Sequence, residues 1–275
     1  MKARYPQFAL SKVKAHWAPN IEFAQRANGS GMIPTYIEPY LVKVMLKAKP
    51  HIDKADTKLH SDVIIFCKQE AQHCKQHMAF NVGLRASGYP GLAAIEKELS
   101  DDLERFLATK SLKFNLAYSE GFEAMGALGA LMWFDCYTEF LDGAEPEVIR
   151  LWKWHMAEEY EHREVAFNVY HALYGRKNLF NGWIYRVAVF LFTARHLLGF
   201  GNKVADYLLS EDRKAMSPAG REASIAREKA FKKKLARTAI PELLKVLSPF
   251  YNPARRKAPA GVEGYLSQFE STVAA

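Results

Sequence analysis

Apolar and polar residues follow one another along this chain with the period of an α-helix. Within residues 56–87, for example, Val63, Phe66 and Val82 recur at intervals that place them on one helical face, which is typical of a helix packed on a core. A proline or glycine follows each such stretch and is expected to end it. Four stretches with this pattern are predicted to be core helices: residues 35–49, 56–87, 112–141 and 147–174.

Less regular segments surround these four stretches. Residues 1–34 contain three prolines and no sustained period, so they are predicted to form an irregular N-terminal arm. Residues 91–110 are highly charged and are expected to form a helix that crosses between the two halves of a bundle. The pattern therefore predicts an all-α protein, with a four-helix core and its crossover helix in residues 35–175. Peripheral helices and a C-terminal wrap are expected in residues 176–275.

Composition agrees with a folded, single-domain chain. Hydrophobic residues make up 49% and aromatic residues 13%, which excludes a disordered protein. A chain of 275 residues can bury a sizeable core, and we expect one domain over residues 1–275. The three cysteines show no paired spacing, which favours a reducing compartment. No N-terminal stretch has the pattern of a secretion signal, so a cytoplasmic location is expected.

Positive charge is concentrated near the C-terminus. The formal net charge is +8, and residues 201–275 hold 14 Lys and Arg against 8 Asp and Glu. A basic helix is predicted over residues 221–237, and the most apolar segment, residues 183–200, is too interrupted by charges to span a membrane. Packing on the bundle is the simpler interpretation of that segment. Together the two segments also allow peripheral contact with the inner membrane surface. No nucleic-acid-binding motif is present, so no nucleic acid partner is expected.

Two Glu-x-x-His motifs carry the candidate chemistry. Read as helices, they place Glu70 and His73 on one stripe and His155, Glu159 and His162 on another, because residues three and four apart are neighbours on a helix. A Glu-x-x-His from each of two helices, with one Glu from each of two more, is the ligand set of di-iron and di-manganese carboxylate bundles. The sequence therefore predicts two bound metal ions, with iron expected and manganese as the alternative.

The acid supplied by the third core helix is left open by spacing. Glu120 and Glu123 are both flanked by small or apolar residues at helical intervals, so both are expected to face the interior. We favour Glu120 as the ligand. A row of small residues follows, including Gly126 and Gly129, which allows either close helix approach or room for a substrate.

At QEAQHCKQHMAFN and WHMAEEYEHREVAFNVY the chain resembles a bacterial family described as predicted metal-dependent hydrolases, itself similar to the ferritin-like di-iron proteins. IEPY and SEGF are weaker points of likeness. The resemblance implies a ferritin-like four-helix bundle with these metal ligands: Glu38, Glu70, His73, Glu120, Glu159 and His162. It leaves further residues as extra ligands or as supports for the ligands: His77, His155, Glu123 and Asn168. At Asn168 the family more often has Asp.

Function is expected to follow from the metal centre. Hydrolytic two-metal sites usually mix His and Asp from strand ends and loops, so this Glu-rich helical set favours an O2-dependent oxidoreductase or oxygenase acting on a hydrophobic small molecule. Its partners would be O2 and an electron donor protein, and the protein is expected to be a monomer or homodimer. The alternatives are a metal-dependent hydrolase, as the family's description states, and a non-enzymatic, ferritin-like iron-binding protein.

Overall fold

The computed structural model describes residues 1–10, 12–175 and 179–273. The predicted all-α class is confirmed, since the single β feature among these residues is an isolated antiparallel bridge between Arg4 and Val273. Part of the predicted C-terminal region, residues 176–178 and 274–275, lies outside the described residues. The α-helices are, in chain order, α1 (Ile21–Gly31), α2 (Pro34–Ala48), α3 (Thr57–Ala86), α4 (Leu92–Thr109), α5 (Leu112–Leu131), α6 (Pro146–His162), α7 (Val165–Tyr170), α8 (Leu179–Lys214), α9 (Pro218–Val246) and α10 (Val262–Leu266).

Local signals in the sequence begin and end the central helices. Pro34 and Pro146 occupy the first positions of α2 and α6, where the missing N–H costs nothing. The side chains of Asp56 and Ser111 accept hydrogen bonds from backbone N–H groups in the first turns of α3 and α5. Gly88 follows α3 with a φ of 91°, a conformation that favours glycine.

The four central helices pack on one another around a shared interior. Helix α2 lies against α3 and α5, and α6 lies against the same two helices. Buried Ile37, Leu41, Phe66 and Leu116 belong to one hydrophobic cluster that joins α2, α3 and α5. Helix α4 connects α3 to α5 and packs on α2 and α8, outside this interior. Side chains on the facing sides of α2, α3, α5 and α6 are therefore brought close together.

Two of the predicted core helices are shorter than expected. The stretch 112–141 is α-helical only to the end of α5, where a π-helical turn, Met132–Cys136, follows. The stretch 147–174 is divided into α6 and α7. At that break, Nη1 of Arg163 donates to the carbonyl oxygen of Tyr160 at 2.6 Å. A side chain that takes a backbone carbonyl interrupts the helical hydrogen-bond ladder, a common cause of kinks.

The prediction of an irregular N-terminal arm is wrong at α1. Its few apolar residues, among them the buried Phe23, pack on the core, and contacts with distant helices also hold it. Its Glu22 pairs with Arg227 of α9, and its Arg26 pairs with Glu228. The backbone of Gly29 approaches α8 so closely that a Cβ at this position would overlap the carbonyl oxygen of Gly201. Such long-range contacts leave no local pattern in the sequence.

The two C-terminal segments singled out in the sequence lie inside longer helices. Residues 183–200 belong to α8, which packs on α1 and α5, and residues 221–237 belong to α9. On the outer face of α8, Leu191 and Leu198 are 52% and 48% exposed. Across the described part of the chain, no helix has an apolar run long enough to cross a membrane. Contact of α8 and α9 with a membrane surface stays a prediction.

Candidate metal centre

Seven acidic and imidazole side chains meet in the interior between the four central helices. Each is at most 1% exposed. Burying an unpaired charge costs several kcal/mol, so such a concentration of ionisable groups requires compensation. We call this set the acid–imidazole cluster, and its members are Glu38 of α2, Glu70 and His73 of α3, Glu123 of α5, and His155, Glu159 and His162 of α6.

One half of the cluster is formed by Glu38, His73, His155 and Glu159. Potential ligand atoms of these four residues all lie within 4.8 Å of one another. Nε2 of His155 is 3.3 Å from Oε1 of Glu38 and 3.1 Å from Oε1 of Glu159. Nδ1 of His73 lies 3.7 Å from the same Glu159 oxygen. Two carboxylates and two imidazoles from three helices thus surround one point, a donor set suited to a divalent transition-metal ion.

The other half is formed around His162 of α6. Glu70, Glu159 and His162 also have ligand atoms within 4.8 Å of one another. Nε2 of His162 is 3.2 Å from Oε1 of Glu70 and 3.2 Å from Oε2 of Glu123. Glu159 belongs to both halves, so its carboxylate lies between the two positions. A shared carboxylate that can bridge two ions is the arrangement expected of a dinuclear site.

Hydrogen bonds outside the cluster set the tautomers of two histidines. Nδ1 of His162 donates to Oε1 of Gln69 at 3.0 Å, which leaves its Nε2 lone pair facing the acids. Nδ1 of His77 donates to the carbonyl oxygen of Gly31 at 3.2 Å, so its Nε2 accepts from Nδ1 of His155 at 2.8 Å. The Nε2 lone pair of His155 then also faces the acids. Fixing the outward nitrogen in this way orients imidazole ligands in metalloproteins.

The third imidazole is held by a buried ion pair. Nε2 of His73 donates to Oε2 of Glu158 at 3.0 Å, and Nη1 of Arg4 lies 3.0 Å from Oε1 of the same carboxylate. Arg4 and Glu158 are 3% and 0% exposed. The Nδ1 atom of His73 therefore carries the lone pair that faces Glu70 and Glu159. In the neutral form of each ring, all three cluster imidazoles direct a nitrogen lone pair to the same interior space.

Several buried polar atoms of the cluster have no hydrogen-bond partner among the described residues. Buried oxygens and nitrogens are nearly always satisfied in folded proteins, so a concentration of unsatisfied atoms at one place indicates an absent partner. Seven of these nine atoms are carboxylate oxygens, which fits a cation and not an anion. They are both carboxylate oxygens of Glu38, Glu70 and Glu123, Oε2 of Glu159, Nδ1 of His73 and Nε2 of His162.

The pKa values of the cluster residues also indicate that positive charge is needed to balance the carboxylates. Burial raises the pKa of Glu38 and of Glu123 to about 7. Burial alone would lower the pKa of His155, but its bonds to Glu159 and Glu38 outweigh that effect and raise it to about 9. In the same way Glu123 and Glu159 raise the pKa of His162 to about 10. Imidazole protons therefore balance the carboxylates, and bound cations can replace those protons.

The structure brings together five of the six residues predicted as ligands: Glu38, Glu70, His73, Glu159 and His162. The sequence favoured Glu120 over Glu123 as the ligand, but in the structure Glu123 and not Glu120 faces the cluster. Oε1 of Glu120 accepts from Nη1 of Arg186 on α8 at 3.0 Å, and this ion pair is itself buried. Glu123 takes the position expected of Glu120. Whether each residue binds metal stays a prediction.

The residues left as extra ligands or supports separate into different places. His155 joins the cluster, whereas His77 lies behind it and contacts it through His155. Asn168 lies on α7 and lines a surface cavity of about 310 Å³ with Asp56 and His171, among other residues. None of the residues that line that cavity belongs to the acid–imidazole cluster, so the cavity does not connect Asn168 with the cluster.

Three contributors were missed from the sequence. Arg4, Glu158 and Gln69 hold the histidines, but a lone Arg, Glu or Gln carries no signal of such a role.

Gly126 belongs to the row of small residues noted in the sequence, and the structure shows that this row allows close approach of two helices. A Cβ at position 126 would overlap Oε2 of Glu159 and lie 2.9 Å from its Cδ.

Replacement of Gln69 by leucine is expected to weaken metal binding about 10- to 100-fold, because the variant removes the acceptor that orients His162. Gln76→Leu is the matched control. Gln76 is also a buried glutamine of α3, but its bond is to the carbonyl oxygen of Pro6. Titration with a competing chelator measures both affinities. Equal affinities in the two variants would contradict the orienting role of Gln69.

A family model described as "Predicted metal-dependent hydrolase" matches residues 2–257 of the chain. Among the curated proteins and among the solved structures, no significant match was found.

Proposed function

Because the chain belongs to the family of predicted metal-dependent hydrolases, we propose that it is an enzyme that holds two divalent metal ions in the acid–imidazole cluster and hydrolyses its substrate there. The observation that carries the proposal is the convergence of unsatisfied buried acceptor atoms from four helices. The sequence favoured an oxygenase, but the description of the family names hydrolysis. We therefore place hydrolysis first and oxygenation second.

The donor set fits two divalent ions in number and in charge. Four carboxylates with three neutral imidazoles carry a formal charge of −4, which two divalent cations would neutralise. Glu38, His73 and His155 would hold one ion, and Glu70, Glu123 and His162 the other. Glu159 would contact both. Iron or manganese suits such mixed imidazole and carboxylate sites, and we propose iron as the more suitable ion.

Two metal ions bound there would supply Lewis acidity towards a substrate oxygen and a water molecule, which is the chemistry that hydrolysis needs. The chain's own residues prepare the site for this chemistry. Glu158, held by Arg4, keeps a proton on Nε2 of His73 and so keeps its Nδ1 free. His77 does the same for His155. Burial of the whole cluster excludes bulk water, which strengthens every electrostatic interaction inside it.

We propose further that α2, α3, α5 and α6 form a ferritin-like four-helix core, with α4 as its crossover. In support, α3 and α6 each contribute a Glu-x-x-His motif, while α2 and α5 each contribute a single Glu. This is the ligand distribution of the dinuclear carboxylate bundles. The departure from that scheme is His155, which brings a third imidazole into contact with Glu38 and Glu159.

An O2-dependent oxidoreductase is the second candidate. It is favoured by one observation: all seven cluster residues lie on helices, and the acids outnumber the histidines. Large apolar side chains lie close by, with the ring of Trp154 4.9 Å from that of His73. Such an enzyme would need O2 and an electron donor, whereas a hydrolase needs only water. Dependence on O2 therefore separates the two candidates.

Elemental analysis of the purified protein is expected to find about two divalent metal ions per chain, as a two-metal site requires. The loaded protein should hydrolyse members of a panel of carboxylic and phosphoric esters equally well with and without O2. Removal of the metals should abolish this hydrolysis. It should also destabilise the fold by about 4 kcal/mol where the free metal exceeds its Kd a thousandfold.

Two outcomes would contradict this proposal. A protein that takes up less than about one metal ion per chain after reconstitution does not contain a two-metal site. Metal-dependent product formation that stops under anaerobic conditions would instead support the oxidoreductase.

A further inference from the structure

A cavity of about 600 Å³ lies outside the acid–imidazole cluster, between the C-terminal part of α5, the end of α9 and the segment that follows α9. We call residues 248–259 the covering segment. The wall on α5 is apolar and is formed by Ala127 and Leu131. The covering segment adds the aromatic rings of Phe250 and Tyr251. A cavity of this size, with apolar walls, is in the range of small-molecule binding sites.

The rim of this cavity is strongly positive. Lys245, Arg255, Arg256 and Lys257 line it, together with one acid, Glu242. Glu242 pairs with Lys245. Among the ion pairs of the described residues, none joins a carboxylate to any of the other three cations. Unpaired charge of one sign around a concave surface focuses the field and attracts ligands of the opposite sign.

Two residues that line the cavity have buried polar atoms without hydrogen-bond partners. Nε of Arg256 and the hydroxyl of Tyr251 are both buried and have no hydrogen-bond partner among the described residues. Both residues line the cavity. The guanidinium of Arg256 lies 6.0 Å from the centre of the Tyr251 ring. Two neighbouring donors without acceptors are suited to an oxyanion, because a carboxylate or phosphate can accept from both.

The cavity adjoins the metal centre through two neighbouring pairs of residues. Ala127 of its wall follows Gly126, whose backbone lies against the carboxylate of Glu159. On α6, Tyr160 follows Glu159, and its hydroxyl donates to the carbonyl oxygen of Arg256 at 2.8 Å. The covering segment is thus fastened to the residue next to the shared carboxylate. A ligand in the cavity would lie beside the helices that carry the metal ligands.

We propose that this cavity binds an organic anion with an apolar body, its oxyanion head held by the cations of the covering segment and its body against α5. Resting on the proposed function, this assigns the substrate to amphipathic esters that carry a free carboxylate or phosphate group. The shared chemistry is an oxyanion joined to an apolar chain. A solvated basic surface without a ligand would show neither the apolar wall nor the two buried donors.

Calorimetric titration of the full-length, metal-loaded protein with octanoate, octyl phosphate and octanol tests this proposal. Octanoate or octyl phosphate is expected to bind at least about tenfold more tightly than octanol, because a charge-assisted contact exceeds a neutral one. The tighter of the two anions identifies the head group. Binding should weaken as salt is raised. Octanol binding as tight as that of both anions would overturn the proposal.

Variants that remove positive charge from the rim test whether the anion binds in this cavity. Arg255→Gln combined with Lys257→Gln is expected to weaken anion binding at least about tenfold, since both side chains are exposed at the rim and neither supports the fold. The matched control combines Lys229→Gln with Lys233→Gln, which removes the same charge from exposed positions of α9 away from the cavity. Equal losses in both double variants would show a general charge effect and overturn the assignment.

Metal content, measured on the same samples, separates this proposal from the proposed function. If the protein takes up no metal but still binds the anion at the cavity, the proposed anion site is supported and the proposed metal-dependent activity is contradicted. If the protein has its full metal content but does not bind the anion, only the proposed anion site is contradicted.

Discussion

Replacement of Gly126 by alanine is expected to remove most of the bound metal while the helices stay folded. The added methyl group would overlap Oε2 of Glu159, and the flexible carboxylate is the group that can move. Because Glu159 belongs to both halves of the acid–imidazole cluster, its displacement disturbs both metal positions at once. Elemental analysis measures the loss, and circular dichroism measures the helix content.

Gly199→Ala is the matched control for Gly126→Ala. Gly199 lies in α8, and a Cβ at this position would meet no described atom within 4 Å. Alanine should therefore stabilise that helix by about 0.5–1 kcal/mol and leave metal content unchanged. If Gly126→Ala kept both metal ions as well, Glu159 would not be the carboxylate that they share.

The second large effect is expected at the buried ion pair between Arg186 and Glu120. Arg186→Met should destabilise the protein by about 3–5 kcal/mol, because it leaves the carboxylate of Glu120 buried without a partner. Metal content should not change, since Glu123 and not Glu120 faces the cluster. Adding Glu120→Gln should recover part of the lost stability, because it removes the unpaired charge. Urea unfolding measures all three variants.

The cost of Arg186→Met should depend on pH. Burial already raises the pKa of Glu120 in the presence of Arg186, and loss of the guanidinium should raise it further. A carboxyl group with a raised pKa in the folded state destabilises the fold as pH rises above its ordinary value of about 4.5. The deficit of Arg186→Met relative to the unmodified protein should therefore be larger at pH 8 than at pH 5.5.

Arg105→Met is the control for loss of a cation. Arg105 pairs with Asp102 on the surface, where both side chains are at least about a third exposed, so the expected cost is at most about 1 kcal/mol. Loss of metal from Arg186→Met with no loss of stability would reverse the assignment of the two acids and make Glu120 the ligand.

The roles of Glu120 and Glu123 show where prediction from sequence reaches its limit. Both acids follow the helical period of α5, and both are buried as expected. Their faces differ by less than a third of a turn, so the pattern alone could not separate them. Arg186, far along the chain, pairs with Glu120 and leaves Glu123 to face the acid–imidazole cluster.

The histidines show the same limit. The spacing correctly placed His73, His155 and His162 on inward faces, and it could not tell the cluster residue His155 from its support His77. That distinction depends on the carbonyl oxygen of Gly31 in α1, which accepts from His77. Helix α1 was itself missed, because the ion pairs and the close approach to α8 that help to hold it leave no local pattern in the sequence.

The amino-acid sequence by itself determined the all-α class, the four central helices and the two Glu-x-x-His motifs, because helical period, end signals and ligand types are properties of neighbouring residues. Only the tertiary structure decided that Glu123 completes the cluster, that Glu159 is shared, and that distant cations line a cavity beside Ala127. These decisions depend on which side chains from remote parts of the chain are brought into contact. Removing one partner of a buried charge pair costs several kcal/mol, yet no local pattern records which residues are paired.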